Sequence, residues 1–187
     1  MKGSWLRASF AVALSVAAGM AVAGRAAAAQ TSVEVRSGLT VGHHTSTAAG
    51  LEWAPALSHE IRIARRLRTQ VAITAGYVRT AFGCREGFCR GREPMVTGRH
   101  AALGAELSQG WLWGRVGVLY GTTRVGTEGE TPQPGPGLEA GAGLRLRLGR
   151  LRIGPGVSWR RMPANTPSSN DHAVALGFDL GVVFVFD

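Results

Sequence analysis

Long segments of the chain alternate between apolar residues and polar or small ones. Every second residue from Val174 to Phe186 is apolar, while the positions between them are mostly small and include Asp179. A period of two places successive side chains on opposite faces of a β-strand. This segment is longer than the usual strand of a soluble domain, and it is long enough to cross a bilayer when tilted. The pattern therefore predicts a transmembrane strand.

The same alternation recurs upstream and predicts eight strands in total. The sixth is a clear example, because Leu138, Leu144 and Leu146 share one face while Glu139 and Arg145 share the other. The predicted strands lie near Ser32–Gly42, Leu57–Arg65, Thr69–Phe82, Gly98–Leu107, Trp111–Thr122, Gly137–Leu148, Leu151–Arg160 and His172–Phe186.

The predicted connections alternate between long and short. The short ones are residues 66–68, 108–110 and 149–150, and the long ones, rich in Gly, Pro, Ser and Thr, are residues 43–56, 83–97, 123–136 and 161–171. Bacterial outer-membrane barrels have an even number of strands, short periplasmic turns and longer extracellular loops. The predicted fold is therefore all-β: an eight-stranded antiparallel up-and-down transmembrane β-barrel with both termini in the periplasm.

In this architecture the chain resembles the small eight-stranded outer-membrane barrels of the OmpA/OmpX type. The resemblance covers essentially all of the chain after its N-terminal segment. It implies a monomer in the bacterial outer membrane and a terminal strand whose aromatic end is read by the barrel assembly machinery. Phe184 and Phe186 match that assembly signal, although Asp187 follows the last aromatic residue.

The N-terminal segment has the features of a secretory signal peptide. Lys2 and Arg7 precede a short apolar run from Ala8 to Ala23, and small residues follow. We expect a signal peptide over residues 1–29, with cleavage before Gln30 or, alternatively, after Ala23. A transmembrane helix anchor is the alternative, but the apolar run is short and ends in a row of small residues, which favours export. The predicted barrel domain then comprises residues 30–187.

The polar face of the predicted strands carries charges of both signs. Enclosed charges need partners, so we predict a paired charge network in the lumen, formed by Glu34, Arg36, Glu60, Arg62, Glu106, Arg115, Glu139, Arg145, Arg147, Arg152, Arg160 and Asp179. Aromatic residues near the strand ends, including Tyr77, Tyr120 and Trp159, suggest the girdles of a membrane barrel. The alternative is a soluble barrel with its apolar face inside.

Two positions disagree with the simple alternation. Trp111 and Trp113 share parity with Arg115, so they point into the lumen unless a bulge near Gly114 shifts the register. Pro155 falls on the lipid face, where its missing N–H breaks a ladder bond and predicts a local distortion.

Composition narrows the list of partners. The formal net charge is +9, but many of the arginines alternate with apolar residues inside the predicted strands, and an exported barrel does not meet nucleic acid. The two cysteines, Cys84 and Cys89, predict a small disulfide-closed loop in an exported protein, with a metal pair as the alternative.

Candidate chemistry is sparse. The histidines, which are expected near the extracellular mouth, could form a metal or acid–base cluster, or they could simply occupy wet loop ends: His43, His44, His59, His100 and His172. A lipid A-modifying enzyme would need a serine and a histidine at the outer leaflet, and the sequence offers Ser46, Ser58 and Ser169 beside histidines. We assign no catalytic residue, cofactor or metal.

The remaining interpretation is a non-catalytic one, in which the protein has a binding or structural role. Four arginines in and beside the second long loop could hold lipopolysaccharide phosphates or another anionic partner: Arg85, Arg90, Arg92 and Arg99. We therefore expect a non-enzymatic outer-membrane barrel that serves envelope integrity or surface interaction through its loops. A lipid A-modifying enzyme, a narrow solute channel and a soluble ligand-binding barrel are the alternatives.

Overall fold

The computed structural model describes residues 30–44, 52–83, 96–125, 131–167 and 170–186. Its strands are β1 Thr31–His44, β2 Glu52–Arg66, β3 Val71–Phe82, β4 Val96–Gln109, β5 Leu112–Val125, β6 Gly135–Leu144, β7 Leu146–Leu148, β8 Leu151–Asn165 and β9 Asn170–Phe186. Both β6 and β7 pair with β8, so together they form one strand of the barrel, which is interrupted at Arg145.

Antiparallel pairing runs around the whole sheet. With β6 and β7 counted as one strand, each strand pairs with the next along the chain, and β1 pairs with β9 from Thr31↔Phe186 to His44↔Ala173. That last pairing joins the first strand to the final one and closes the sheet. The structure is therefore the predicted eight-stranded up-and-down barrel. We call the end with the short connections the turn end, and the opposite end the loop end.

Several strands extend further toward the loop end than the alternation predicts. The strand predicted to begin at Leu57 starts at Glu52, and the one predicted to end at Arg160 continues to Asn165. Residues there lack clean alternation, but neighbouring strands satisfy their backbone, as in Met162↔Ala173. Ladder pairing with a neighbour, which a local pattern cannot reveal, sets these bounds.

Two-residue turns close two of the hairpins at the turn end. Leu148 pairs with Leu151 around Gly149, whose φ is 64°. Gln109 pairs with Leu112, so the second turn consists of Gly110 and Trp111, and Gly110 has a φ of 62°. Positive φ favours glycine in such turns. The three-residue turn predicted over residues 108–110 is thus a two-residue turn over residues 110–111.

This turn separates the two tryptophans. Trp111 is a turn residue and is exposed, whereas Trp113 faces the lumen and is buried. The pairing of β4 with β5 is continuous from Val96↔Val125 to Gln109↔Leu112, so there is no bulge at Gly114. The lumen-facing direction that parity with Arg115 predicted is therefore correct for Trp113. It is wrong for Trp111, because that residue belongs to the turn.

Pro155 lies where the sixth strand of the barrel is interrupted. Pairing with β8 stops after Gly143↔Gly156 and resumes at Leu146↔Ile153, which leaves Leu144 and Arg145 out of the ladder. Proline has no N–H to donate, which explains the gap. The local distortion that the sequence predicted is present here.

The two faces of the sheet differ in chemistry. The outer surface is lined with exposed apolar side chains such as Leu39, Ile61 and Leu180, whereas glutamates and arginines are buried in the lumen. This polarity is the reverse of that of a soluble barrel and is typical of a transmembrane one. Within the described residues, no helix is long and apolar enough to span a membrane.

The first testable prediction concerns the space that the lumen glycines provide. A Cβ added at Gly181 would lie 2.6 Å from Cζ of Arg36, whereas a Cβ added at Gly114 would meet only a backbone oxygen, at 3.9 Å. We expect Gly181→Ala to lower the free energy of unfolding by about 1–3 kcal/mol, because Arg36 must leave its partners. Gly114→Ala is the matched control, with little change expected. Urea unfolding of the refolded barrel measures both, and equal effects would contradict this account.

Candidate functional site

Ten charged side chains form one connected network in the lumen. Every strand of the barrel contributes a charged member except β3, which contributes Thr80 as a hydrogen-bond partner of Arg160, at 3.4 Å. There are five arginines and five carboxylates, so the formal charges cancel: Arg36, Arg62, Arg115, Arg145 and Arg160 with Glu34, Glu60, Glu106, Glu139 and Asp179. Charges removed from water need this kind of pairing.

Glu34 of β1 joins three arginines from different parts of the barrel. Its carboxylate accepts from Nη1 of Arg36 at 3.1 Å, Nη1 of Arg115 at 3.2 Å and Nη2 of Arg145 at 2.7 Å. Arg145 also contacts both carboxylate oxygens of Glu106. One carboxylate thus links the first strand to strands on the far side of the lumen.

Glu60 of β2 forms the second junction. It accepts from Nη2 of Arg115 at 2.7 Å, Nη2 of Arg160 at 2.6 Å and Nη2 of Arg62 at 3.3 Å. Arg62 in turn donates to Glu139, at 2.6 Å. Arg115 contacts both junctions and therefore connects them.

Trp113 packs beneath the guanidinium groups. The Cζ atoms of Arg36, Arg145 and Arg115 lie 4.4, 4.8 and 5.3 Å from its ring centroid. Cations over an indole face are stabilised by the ring quadrupole, more strongly when they are desolvated. Arg36 also donates from Nε to Asp179 at 2.6 Å. The indole thus supports the turn-end side of the network, a role that the sequence analysis did not anticipate.

Two of the predicted network residues lie apart from it. Arg147 is exposed near the turn end and Arg152 is half-buried, and neither has an ion-pair partner in the described part of the chain. Both occupy lumen-facing register positions, but they sit beside the Gly149 turn, where the lumen opens to solvent. The structure brings the other ten together.

Apolar side chains fill the lumen nearer the loop end. Val78, Phe82, Leu119 and Met162 are almost wholly buried there and form one cluster with their neighbours. Beside the network, a small cavity lined by Arg36, Glu60 and others has room for about one water molecule. Charged side chains and this apolar cluster thus occupy successive levels of the lumen.

The candidate catalytic and metal-ligating residues do not gather at one place. Ser58 faces the lumen, where its Oγ accepts a hydrogen bond from Ala81 N at 2.9 Å, while His59 faces outward. His100 is buried in the lumen and lies 3.3 Å from Thr123 Oγ1. His44 and His172 are at the loop end. Among the described residues, no three His, Cys, Asp or Glu side chains are placed to bind a metal.

Four polar residues form a row on the outward face of the barrel. Ser37, His59, Arg79 and Arg99 are successive cross-strand partners on β1, β2, β3 and β4. Ser37 Oγ lies 3.0 Å from His59 Nδ1, within hydrogen-bonding distance. We call these four residues the outer polar row. The sequence analysis missed Ser37 and Arg79. For Arg79 the sequence does contain a signal, because its parity with Tyr77 predicts an outward-facing side chain.

A β-bulge in β2 adjoins this row. The pairing of β2 with β3 shifts between Pro55↔Phe82 and His59↔Arg79. Side chains replace the lost ladder bonds there, because Arg79 Nη1 donates to Leu57 O at 3.2 Å and Ser58 accepts from Ala81 N. Bulges re-aim neighbouring side chains, and this one fixes Arg79 over the second strand.

The predicted assembly signal lies in the described part of the chain, whereas several other predicted residues lie outside it. Phe184 and Phe186 face outward at the turn end with ring centroids 5.1 Å apart, and the assembly signal stays a prediction. The remaining residues lie outside the described part of the chain: Ser46, Cys84, Arg85, Cys89, Arg90, Arg92, Ser169 and the signal peptide over residues 1–29. The disulfide between Cys84 and Cys89 accordingly stays a prediction.

Comparison with known proteins supports the fold. No protein-family model matches the chain. No curated protein sequence matches it either. Among solved structures it is similar to Neisserial surface protein A, with a TM-score of 0.57 and 14% identity over 83% of this chain and 97% of that one. The outer membrane protein OprG from Pseudomonas aeruginosa gives a TM-score of 0.49 with 10% identity, over 84% of this chain and 97% of that one. The N-terminal β-barrel domain of OprF from Pseudomonas aeruginosa gives 0.46 with 16% identity, over 83% and 97%. The resemblance to small outer-membrane barrels is confirmed at the level of fold.

The second testable prediction concerns the centre of the lumen network. Arg115→Met removes the cation that joins Glu34 to Glu60. Because it leaves buried carboxylates undercompensated, we expect a loss of about 3–5 kcal/mol in the free energy of unfolding. Arg147→Met is the matched control, since that side chain is exposed, and it should change stability by less than about 0.5 kcal/mol. Urea titration of both variants in the same detergent measures this, and similar losses would show that the network does not govern stability.

Proposed function

We propose that this protein is an integral outer-membrane β-barrel that has no enzymatic activity and serves envelope integrity or interaction at the cell surface. The observation that carries the proposal is the distribution of polarity: a charge-balanced network is buried in the lumen, and many large apolar side chains are exposed on the outer wall. Such a molecule is stable only where lipid covers its exterior. The predicted signal peptide supports export.

A binding role is favoured over solute transport. In the described part of the barrel, the charge network and the apolar cluster that includes Phe82 and Met162 occupy the lumen. An eight-stranded barrel has an interior just wide enough for side chains. Interaction would therefore use the outer wall and the loops, where lipopolysaccharide is the partner expected from the arginines.

A lipid A-modifying enzyme is the second candidate. The hydrogen bond between Ser37 and His59 favours it, because a serine beside a histidine on a lipid-facing wall has the components of an acyl-transfer dyad. Against it, the carboxylates with described side chains all occupy lumen-facing positions, so none orients His59. An activated histidine in such a dyad is normally oriented by a third group.

The third testable prediction concerns location and role. In cells producing the protein, we expect it in the outer-membrane fraction, with an electrophoretic mobility that changes on boiling, because folded barrels migrate compactly. Cells lacking it should take up more of a hydrophobic dye, and re-expression should restore the barrier. Recovery of the protein in the soluble exported fraction would contradict the proposal.

Mass spectra of lipid A separate the two candidates. The non-enzymatic proposal predicts identical acylation in cells with and without the barrel. Gain or loss of an acyl chain, abolished by Ser37→Ala and retained in Ser158→Ala, a lumen-facing serine on β8, would instead establish the enzyme.

A further inference from the structure

The outer polar row places two like charges side by side on the apolar wall. Arg79 of β3 and Arg99 of β4 are direct cross-strand partners, both on the outward face. Side chains at such positions have Cβ atoms about 5 Å apart, and like charges there destabilise a sheet. Arginine on the lipid face of a barrel carries a further cost. A bound anion would reduce both the repulsion between the two arginines and the cost of placing them on the lipid face.

The protein itself does not supply that anion within the part described. The acidic residues whose side chains are described all occupy lumen-facing positions: Glu34, Glu60, Glu106, Glu139, Asp171 and Asp179. Arg99 is exposed and has no described ion-pair partner, and the described hydrogen bond of Arg79 goes to a carbonyl oxygen, that of Leu57. Both guanidinium groups are thus available to an external ligand.

The surroundings of the pair identify the ligand class. One register step toward the turn end on the same face, Tyr77 pairs with Ala101, which pairs with Tyr120. Both tyrosines are exposed, at 41% and 62%. The small side chain of Ala101 lies between the two aromatic residues in the register, an arrangement that suits an acyl chain. Tyrosines are typical of the level where hydrocarbon meets headgroups.

The level of Arg79 and Arg99 along the barrel also fits a lipid headgroup. Arg79 and Arg99 lie in the loop-end halves of their strands, and His59 and Ser37 extend the row toward mid-wall. Under the proposed topology, the loop end faces outward. Guanidinium groups bind phosphate through paired, charge-assisted hydrogen bonds.

We propose that Arg79 and Arg99 bind the phosphate of an outer-leaflet lipid, with its acyl chain lying over Ala101 between Tyr77 and Tyr120. The inference rests on the proposed outer-membrane location and deepens it, because the lipid site is on the barrel wall and not in the loops. His59, held by Ser37, borders the site as a further hydrogen-bonding group.

The test uses the full mature chain, refolded in detergent and studied by native mass spectrometry with added lipid A. Wild-type protein should retain diphosphorylated lipid A about tenfold more tightly than the same lipid with its phosphates removed, as expected for a few charge-assisted hydrogen bonds. The Arg79→Gln/Arg99→Gln double variant should lose that preference. Arg68→Gln/Arg147→Gln, with both changes at exposed turn-end arginines, is the matched control and should keep it.

Each outcome has a defined meaning. Equal retention of the two lipids by wild-type protein, or equal loss in both double variants, would overturn the proposal. Displacement of the lipid by millimolar inorganic phosphate would also overturn it, because a free anion would then be the ligand. If the protein folds and inserts into membranes without the phosphate preference, only the lipid site fails. If it fractionates as soluble in cells, the outer-membrane proposal fails as well.

Discussion

Charge pairing inside the lumen is the constraint on which the rest of this structure depends. A glutamate or arginine sealed inside a barrel is tolerated only with partners, because the desolvation of each ion costs several kcal/mol. Here the carboxylates of Glu34 and Glu60 each form ion pairs with three arginines, and Arg115 is paired with both carboxylates. The positions of the strands around the barrel must therefore satisfy one set of contacts at the same time.

Strand register follows from that requirement. Sliding one strand by a single residue would turn its whole charged set toward the apolar wall. For β2, such a slip would expose Glu60 and Arg62 on the face that carries Ile61 and Ile63. Glycine at Gly181 leaves room for Arg36 to lie against the wall and over Trp113. The charged side chains thus fit in the lumen because small residues opposite them leave the space.

The outer wall shows the reverse case, because Arg99 has no ion-pair partner among the described residues. The bulge beside Pro55 shifts β2, and Arg79 covers it by donating to Leu57. The register between β3 and β4 places this cation directly beside Arg99 on the outward face of the sheet. The ten-member network in the lumen is internally neutral, whereas the two arginines on the wall face each other without a described anion. This contrast is the basis for the lipid site that we propose on the wall.

The sequence by itself determined the architecture, because period-two alternation and the sequence of short and long connections are local properties of the chain. The twelve charged residues expected in the lumen also followed from parity, although for Arg147 and Arg152 parity did not reveal their distance from the network. Only the tertiary structure decided which charges meet, that Trp113 lies beneath three arginines, and that Ser37, His59, Arg79 and Arg99 form one row. The physical reason is that partners across a closed sheet depend on the register and bulges of every strand, and these are fixed by long-range pairing.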